Sequence, residues 1–189
     1  DSPTVINIED VELDVNYAIV ISTNAGLWRY VIGDTIIFTS LKPYRFKVSG
    51  RTKNYINAFG EEMIIDNAEK AIRIACEKAN AQVKEYTACP IYMDKSTTGG
   101  HQWIIEFEDE PENLDYFAKV LDTALKSINS DYEAKRSNSL TLRPPVIQKV
   151  EKGTFYAWLK SKGKAGGQNK IPRLSNDRKI VDEILELIK

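Results

Sequence analysis

The chain changes character at Gly50, and that change limits what it can fold into. Before it, from Thr4 to about Val48, the pattern is strand after strand. Residues 15–22 are β-rich, and Asn24-Ala25-Gly26 has turn chemistry. Residues 27–31, 35–40 and 45–48 read as three further strands. Together they predict a small antiparallel barrel or meander. A unit of about 50 residues is small for an independent core, so it is expected to lean on something else.

After Gly50 the pattern becomes helix, two strands, helix, strand, helix. Asp66-Asn67-Ala68-Glu69 reads as a capping box opening a helix whose Ala68, Ala71, Ile72, Ala75 and Ala79 share a face. Residues 88–93 and 103–107 read as strands around a loop at 94–100. Beyond Pro111, the apolar residues from Leu114 to Ile128 recur at helical spacing. Pro144-Pro145 introduces a strand at 146–150, Thr154 caps a short helix, and Ile180, Val181, Ile184, Leu185 and Ile188 mark the last helix. The expected fold class is α+β: a β-rich N-terminal segment, then a compact α/β unit with helices on a short mixed or antiparallel sheet.

Charge excludes several functions. Twenty-six basic residues stand against 27 acidic, giving a formal net charge of -1. A nucleic-acid or membrane-surface protein needs a clear basic excess, so neither partner is expected. The basic residues at 149–178 lack interleaved aromatics and read as a solvated face. Cys76 and Cys89 form no CxxC, and the single histidine, His101, cannot complete a zinc site with them. Two reduced cysteines in or near a core suit the cytoplasm. No apolar run approaches membrane-spanning length and no signal peptide opens the chain. Asp1-Ser2-Pro3, without Met, reads as the start of a fragment.

The chemistry concentrates in Trp28-Arg29-Tyr30-Val31-Ile32-Gly33-Asp34 and in Gly50-Arg51-Thr52-Lys53. A carboxylate on a tight Gly turn accepts from both hydroxyls of a ribose, and a guanidinium a strand further on donates to the same sugar edge. By itself a Gly-Asp pair is a common turn. The segment from Gly50 to Glu69 adds a second motif, whose spacing resembles the hinge of the adenylate-forming superfamily. Gly33-Asp34 then sits where those enzymes carry a ribose-binding turn, with Tyr30 as the preceding aromatic.

The closer resemblance is to the acyl-acid–amido synthetases, the auxin- and jasmonate-conjugating family of plants with bacterial relatives. Its motif is similar to Thr23-Asn24-Ala25-Gly26-Leu27-Trp28-Arg29-Tyr30-Val31-Ile32-Gly33-Asp34. Gly100-His101-Gln102-Trp103, Gly153-Thr154-Phe155 and Gln168-Asn169-Lys170-Ile171-Pro172-Arg173 match further motifs in order. Gly50-Arg51 and the run from Asn57 to Glu61 look more like bacterial members than plant ones.

That resemblance implies a two-step ligase using ATP and Mg²⁺, with a carboxylic acid and an amino acid as substrates. Residues 1–52 would be the tail of the large ATP-binding domain, and 53–189 a mobile lid. An N-terminal domain of the same chain would carry the phosphate loop and acid pocket, leaving this fragment inactive alone. Lys170 resembles the lysine that bridges carboxylate and α-phosphate; its plain alternative is an exposed loop lysine. Asp34 is assigned to the ribose hydroxyls, Arg51 to the ribose or nucleotide edge, Tyr30 to the nucleotide and Lys53 to the hinge. Asn57 stands where the segment usually has a lysine.

Three weaker signals are read structurally. Ser96-Thr97-Thr98-Gly99-Gly100 lies between strands rather than before a helix, so it is expected to be a plain loop. His101 has no evident acidic partner in the sequence and is expected to be structural. Trp28, Trp103 and Trp158 read as core aromatics, with Trp28 also a candidate for the adenine or acyl pocket. Two other functions stay open. An acyl-CoA ligase would release AMP with coenzyme A rather than an amino acid, and a non-catalytic module that kept the lid fold would show no ATP–pyrophosphate exchange.

Overall fold

The computed structural model describes residues 4–52, 54–93, 98–137, 141–164, 166 and 170–189. The chain divides into two compact units, residues 1–53 and 54–189.

The first unit is a three-stranded antiparallel meander of β1 (Asn16–Ile21), β2 (Tyr30–Leu41) and β3 (Tyr44–Arg51), preceded by a 3₁₀ turn at Ile8–Asp10. One strand, β2, spans what the sequence suggests are two, so Gly33-Asp34 is not a tight turn but lies inside a strand. The pairing shows why. Ala18 faces Thr35 and Val20 faces Val31, so two extra residues of β2 are accommodated between them. Gly33, at φ +90°, supplies the backbone conformation that such a bulge demands. Ile36 and Phe38 are the buried centre, and Phe38 meets Tyr17, Tyr44 and Phe46 edge-to-face at 5.9–6.2 Å between ring centres. Trp28 is 81% exposed and is not a core aromatic of this unit.

The second unit is built in three layers. Its sheet runs β6 (Gln82–Ile91), β7 (Gly100–Asp109) and β8 (Val146–Val150), with β6 antiparallel and β8 parallel to β7, hence mixed. Side chains alternate between faces. Tyr86, Ala88, Trp103, Ile105 and Phe107 pack with α1 (Ile65–Ala79), α2 (Leu114–Ile128) and α3 (Ser130–Arg136). Cys89, Ile104 and Val150 pack with α4 (Thr154–Ser161) and α5 (Lys179–Leu187). Trp103 and Trp158 are both core residues.

Helix ends depart from expectation in instructive ways. The capping role at α1 belongs to Asn67, whose Oδ1 accepts from the Ile64 N–H at 3.1 Å. Asp66 is instead a first-turn acid paired with Lys70 at 2.7 Å. Thr154 is not the N-cap of α4, because Gly153 at φ +91° holds that place. The orphan N–H groups there are answered from the sheet: Glu106, 2% exposed, accepts from Gly153 at 2.9 Å and Phe155 at 3.3 Å. Helix α3 has no counterpart in the sequence reading. Asn129 ends α2 and caps α3, accepting from the Tyr132 N–H at 2.8 Å.

At the start of the second unit, a short hairpin of β4 (Tyr55–Ile56) and β5 (Met63–Ile64) leads into α1. Both cysteines are free thiols. Burial pushes the Cys89 thiol up to about 11, against the pull of Arg178. Among the described residues, no helix is long and apolar enough to cross a membrane.

Candidate functional site

Two separate places carry the expected chemistry, one in each unit. In the first, Asp34 on β2 and Arg51 on β3 are direct register partners, followed by Thr35 opposite Gly50. Seventeen residues apart in sequence, the two positions share one face of the ladder at its end. The Gly33 carbonyl accepts from the Thr52 N–H at 2.8 Å and from the Thr52 hydroxyl at 3.3 Å, which ties the end of β3 to the bulge. Asp34 is half-buried. Tyr30 begins β2 opposite Ile21 and is 52% exposed. The loop before it is closed by Thr23 N–H to Leu27 O at 2.8 Å, and it carries Trp28 outward. Lys53 lies outside the described residues.

The second place is the edge of β6. Residues 171–175 run beside it as a strap. Leu174 bridges Ala88 in parallel sense, the Ala88 N–H donates to Arg173 O at 2.9 Å, and the Ser175 N–H donates to Ala88 O at 3.0 Å. The Thr87 hydroxyl adds a bond to Pro172 O at 2.7 Å. Ile171 is buried in the α4/α5 face and Leu174 in the α1/α2 face, so the strap is pinned on both sides of the sheet edge. Lys170 is the residue just outside the first pin, and it is exposed. Gln168 of the same motif, like Ser96 and Thr97 of the loop before β7, is not among the described residues.

Beyond the strap, Asn176 Oδ1 accepts from the Asn57 N–H at 2.7 Å, and Asn57 Oδ1 accepts from the Glu62 N–H at 3.1 Å. Asn57 therefore ties the β4–β5 hairpin to the residue that follows the strap. A groove of about 240 Å³ lies between α1 and β6, lined by Glu69, Ile72, Cys76, Val83, Tyr86 and Arg173 among others.

His101 does have an acidic partner, one that sequence reasoning missed. Its Nε2 lies 2.8 Å from Glu61 Oε1, with His101 1% and Glu61 0% exposed. Burial drives the Glu61 carboxyl up, yet the His101 hydrogen bond and charge, helped by the Phe59 N–H at 2.7 Å, hold it below its ordinary value. The rings of Tyr132 and Phe59 flank the imidazole at 5.7 and 6.5 Å. Its Nδ1 is buried with no partner among the described residues. A base sealed from solvent in this way has no substrate proton within reach, so the pair ties the hairpin to β7 rather than doing acid–base chemistry. No local signal links Glu61 to His101; only the folded chain brings them together.

Among the described residues, no three or more His, Cys, Asp or Glu side chains gather to hold a metal ion.

A β meander followed by a three-layer α/β unit is the fold of a solved "GH3.15 acyl acid amido synthetase", matched with a TM-score of 0.72 at 22% identity over 97% of this chain and 35% of that one. The model of the GH3 family central domain matches residues 1–51, and that of the GH3 family C-terminal domain matches residues 66–179. The chain belongs to the GH3 family. Its relatives include the indole-3-acetic acid-amido synthetase GH3.4 of Arabidopsis thaliana, 27% identical over 92% of this chain and 31% of the relative. The 4-substituted benzoates-glutamate ligase GH3.12 of the same plant is 26% identical, over 98% of this chain and 35% of the relative. The chain thus spans about a third of the length of the curated relatives it matches.

Proposed function

We propose that this chain is the C-terminal part of an ATP-dependent ligase that activates a carboxylic acid as its acyl-adenylate and passes the acyl group to an amino acid. In the first step a carboxylate oxygen attacks the α-phosphorus of ATP, the bond to the β-phosphate bridging oxygen breaks, and pyrophosphate leaves. In the second, the amine nitrogen attacks the acyl carbon, AMP leaves, and the nitrogen gives up a proton. Little of this needs covalent help from the protein; it needs positioning and charge in the right place.

The observation that carries the reading is the register pairing of Asp34 with Arg51 beside the Gly33 bulge. Register positions that carry an acceptor-only carboxylate and a forked donor suit a ribose edge, and the relatives' names supply the reaction type. Lys170, exposed at the first pin of the strap, is assigned the charge that bridges the carboxylate and the α-phosphate. Tyr30 is assigned to the nucleotide. The second unit is assigned the role of a lid hinged at Lys53, with the preceding part of the enzyme holding the phosphate loop and acid pocket. Mg²⁺ is expected to arrive on the triphosphate, since the described residues offer it no cage of their own.

The test is acid-dependent ATP–pyrophosphate exchange by the intact protein, followed by AMP release with amino acids against coenzyme A. Exchange with amino-acid-dependent release supports the reading. Absence of exchange across a broad panel of acids overturns it.

A further inference from the structure

The strap that follows Lys170 is a short piece of chain, and one side chain holds it from several directions at once. The Arg173 guanidinium carbon sits 4.6 Å from the centre of the Tyr86 ring. Arg173 Nε lies 3.4 Å from Glu69 Oε1 on α1, and Nη1 pairs with Glu85 on β6 and reaches the Tyr86 carbonyl at 3.5 Å. Tyr86, 2% exposed, donates its hydroxyl to the same Glu69 Oε1 at 3.0 Å. We propose that Arg173 is a positioning residue for Lys170, setting the register of the strap along β6 and hence the point where the Lys170 amine leaves the sheet edge. The proposal rests on the reading of Lys170 given above.

The edge of β6 explains why such a device is needed. Among the described residues, the strap's backbone is hydrogen-bonded to this edge only through Thr87, which donates to Pro172 O, and Ala88, which donates to Arg173 O and accepts from the Ser175 N–H. Next to them, the N–H of Tyr86 donates to Glu85 Oε1 at 3.2 Å, while its carbonyl takes Arg173, so side chains finish the edge where backbone pairing stops. Two or three ladder bonds specify register weakly, because a slipped strap can remake them one residue along. What a slipped strap cannot remake is the pair of buried anchors and the stacked guanidinium. A one-residue slip sends Ile171 and Leu174 to the wrong faces and lifts Arg173 off the Tyr86 ring.

The consequence for Lys170 is large compared with the consequence for stability. Ion pairs as open as this one contribute little to folding on their own. One residue of slip, however, moves the chain by about 3.3 Å, and about 1 Å of misplacement can reduce a rate on the order of a hundredfold. Arg173 directs Nε at Glu69 and Nη1 at Glu85 and the Tyr86 carbonyl, all groups of the scaffold, which marks it as a positioning residue rather than a catalytic one.

The intact protein tests this by acid-dependent ATP–pyrophosphate exchange, comparing wild type, Lys170→Ala, Arg173→Met, the double variant and Thr87→Val. Arg173→Met should lower kcat about tenfold to a hundredfold with KM for ATP changed less than about twofold. The double variant should be no slower than Lys170→Ala, because Arg173 acts only through Lys170. Thr87→Val, which removes a single tether, should show a smaller loss in the same direction. A wild-type kcat in folded Arg173→Met overturns the proposal, as does a double variant slowed by the product of the two single effects. Should Arg173→Met fail to fold, a wild-type kcat in Thr87→Val overturns it instead. Normal exchange by Lys170→Ala overturns the reading of Lys170, and the proposal with it. Lost exchange in Lys170→Ala beside normal exchange in Arg173→Met overturns the proposal alone.

Discussion

Asp34 and Arg51 stand directly opposite each other at the end of the β2–β3 ladder, one residue past a glycine whose φ is +90°. Assigned to a ribose, Asp34 should matter to nucleotide binding through hydrogen bonds to a charged acceptor, each contributing about 1.5–3 kcal/mol. In the intact protein Asp34→Ala is expected to raise KM for ATP about tenfold to a hundredfold. Wild type should also use 2′-deoxy-ATP poorly. The variant should discriminate far less between the two nucleotides, because the group that senses the hydroxyl has gone. Equal discrimination in both proteins sinks the assignment.

Gly33 offers a purely conformational test of the bulge beside that pair. A Cβ at this position would meet only Thr52 Oγ1, at an ordinary 3.7 Å. Space is therefore not the obstacle. The left-handed backbone is, at about 1–2 kcal/mol for a residue with a Cβ. Gly33→Ala should lower the stability of the first unit by that amount, read from chemical denaturation, and Gly33→Asn should lose less because Asn tolerates positive φ better.

Where periodicity is strong, local sequence is enough. The apolar residues from Leu114 to Ile128 predict α2 with its observed limits, and 146–150 predicts β8. Gly33-Asp34 misleads because a glycine with positive φ serves a turn and a strand bulge equally well, and only the partner strands decide. Helix α3 is too short to show a period in seven residues. The Glu61–His101 pair, 40 residues apart, and the strap on β6 are tertiary facts, with no local pattern to betray them. Asp34, Arg51 and Lys170 were chosen from their motifs, whereas the strap that follows Lys170 leaves no motif of its own.

Asp122 contributes to the acid limb of stability. Burial raises its carboxyl, but hydrogen bonds from Arg136 and Tyr132, the Arg136 charge and Lys126 outweigh this and hold it below the usual carboxylate range. Between that depressed folded value and the unfolded value of about 3.9, the unfolded chain binds a proton the folded one does not. Stability therefore rises with pH in that window, is complete above it, and is lost as pH falls through the folded value. Asp122→Asn should destabilise the second unit by about 2 kcal/mol at pH 7 and flatten its loss on going to pH 3, both read by denaturant titration. An unchanged acid slope counts against Asp122 as the titrating group.

Glu61 and His101 should behave as structure and not as chemistry. Removing one partner of a buried, paired group costs about 3–5 kcal/mol, because the other is left unsatisfied. Glu61→Ala strands the His101 Nε2 and also the Phe59 N–H, so it should fall in that range. Glu61→Gln keeps an acceptor for one of them and should lose about 1–2 kcal/mol. His101→Phe fills a site already walled by Tyr132 and Phe59, but leaves a buried Glu61 carboxylate with only backbone donors, so it too should destabilise. In all three, exchange by the folded fraction of the intact protein should keep its wild-type kcat and pH profile. A shifted pH profile in Glu61→Gln, at a temperature where it is fully folded, would overturn the structural assignment and make the pair part of the reaction.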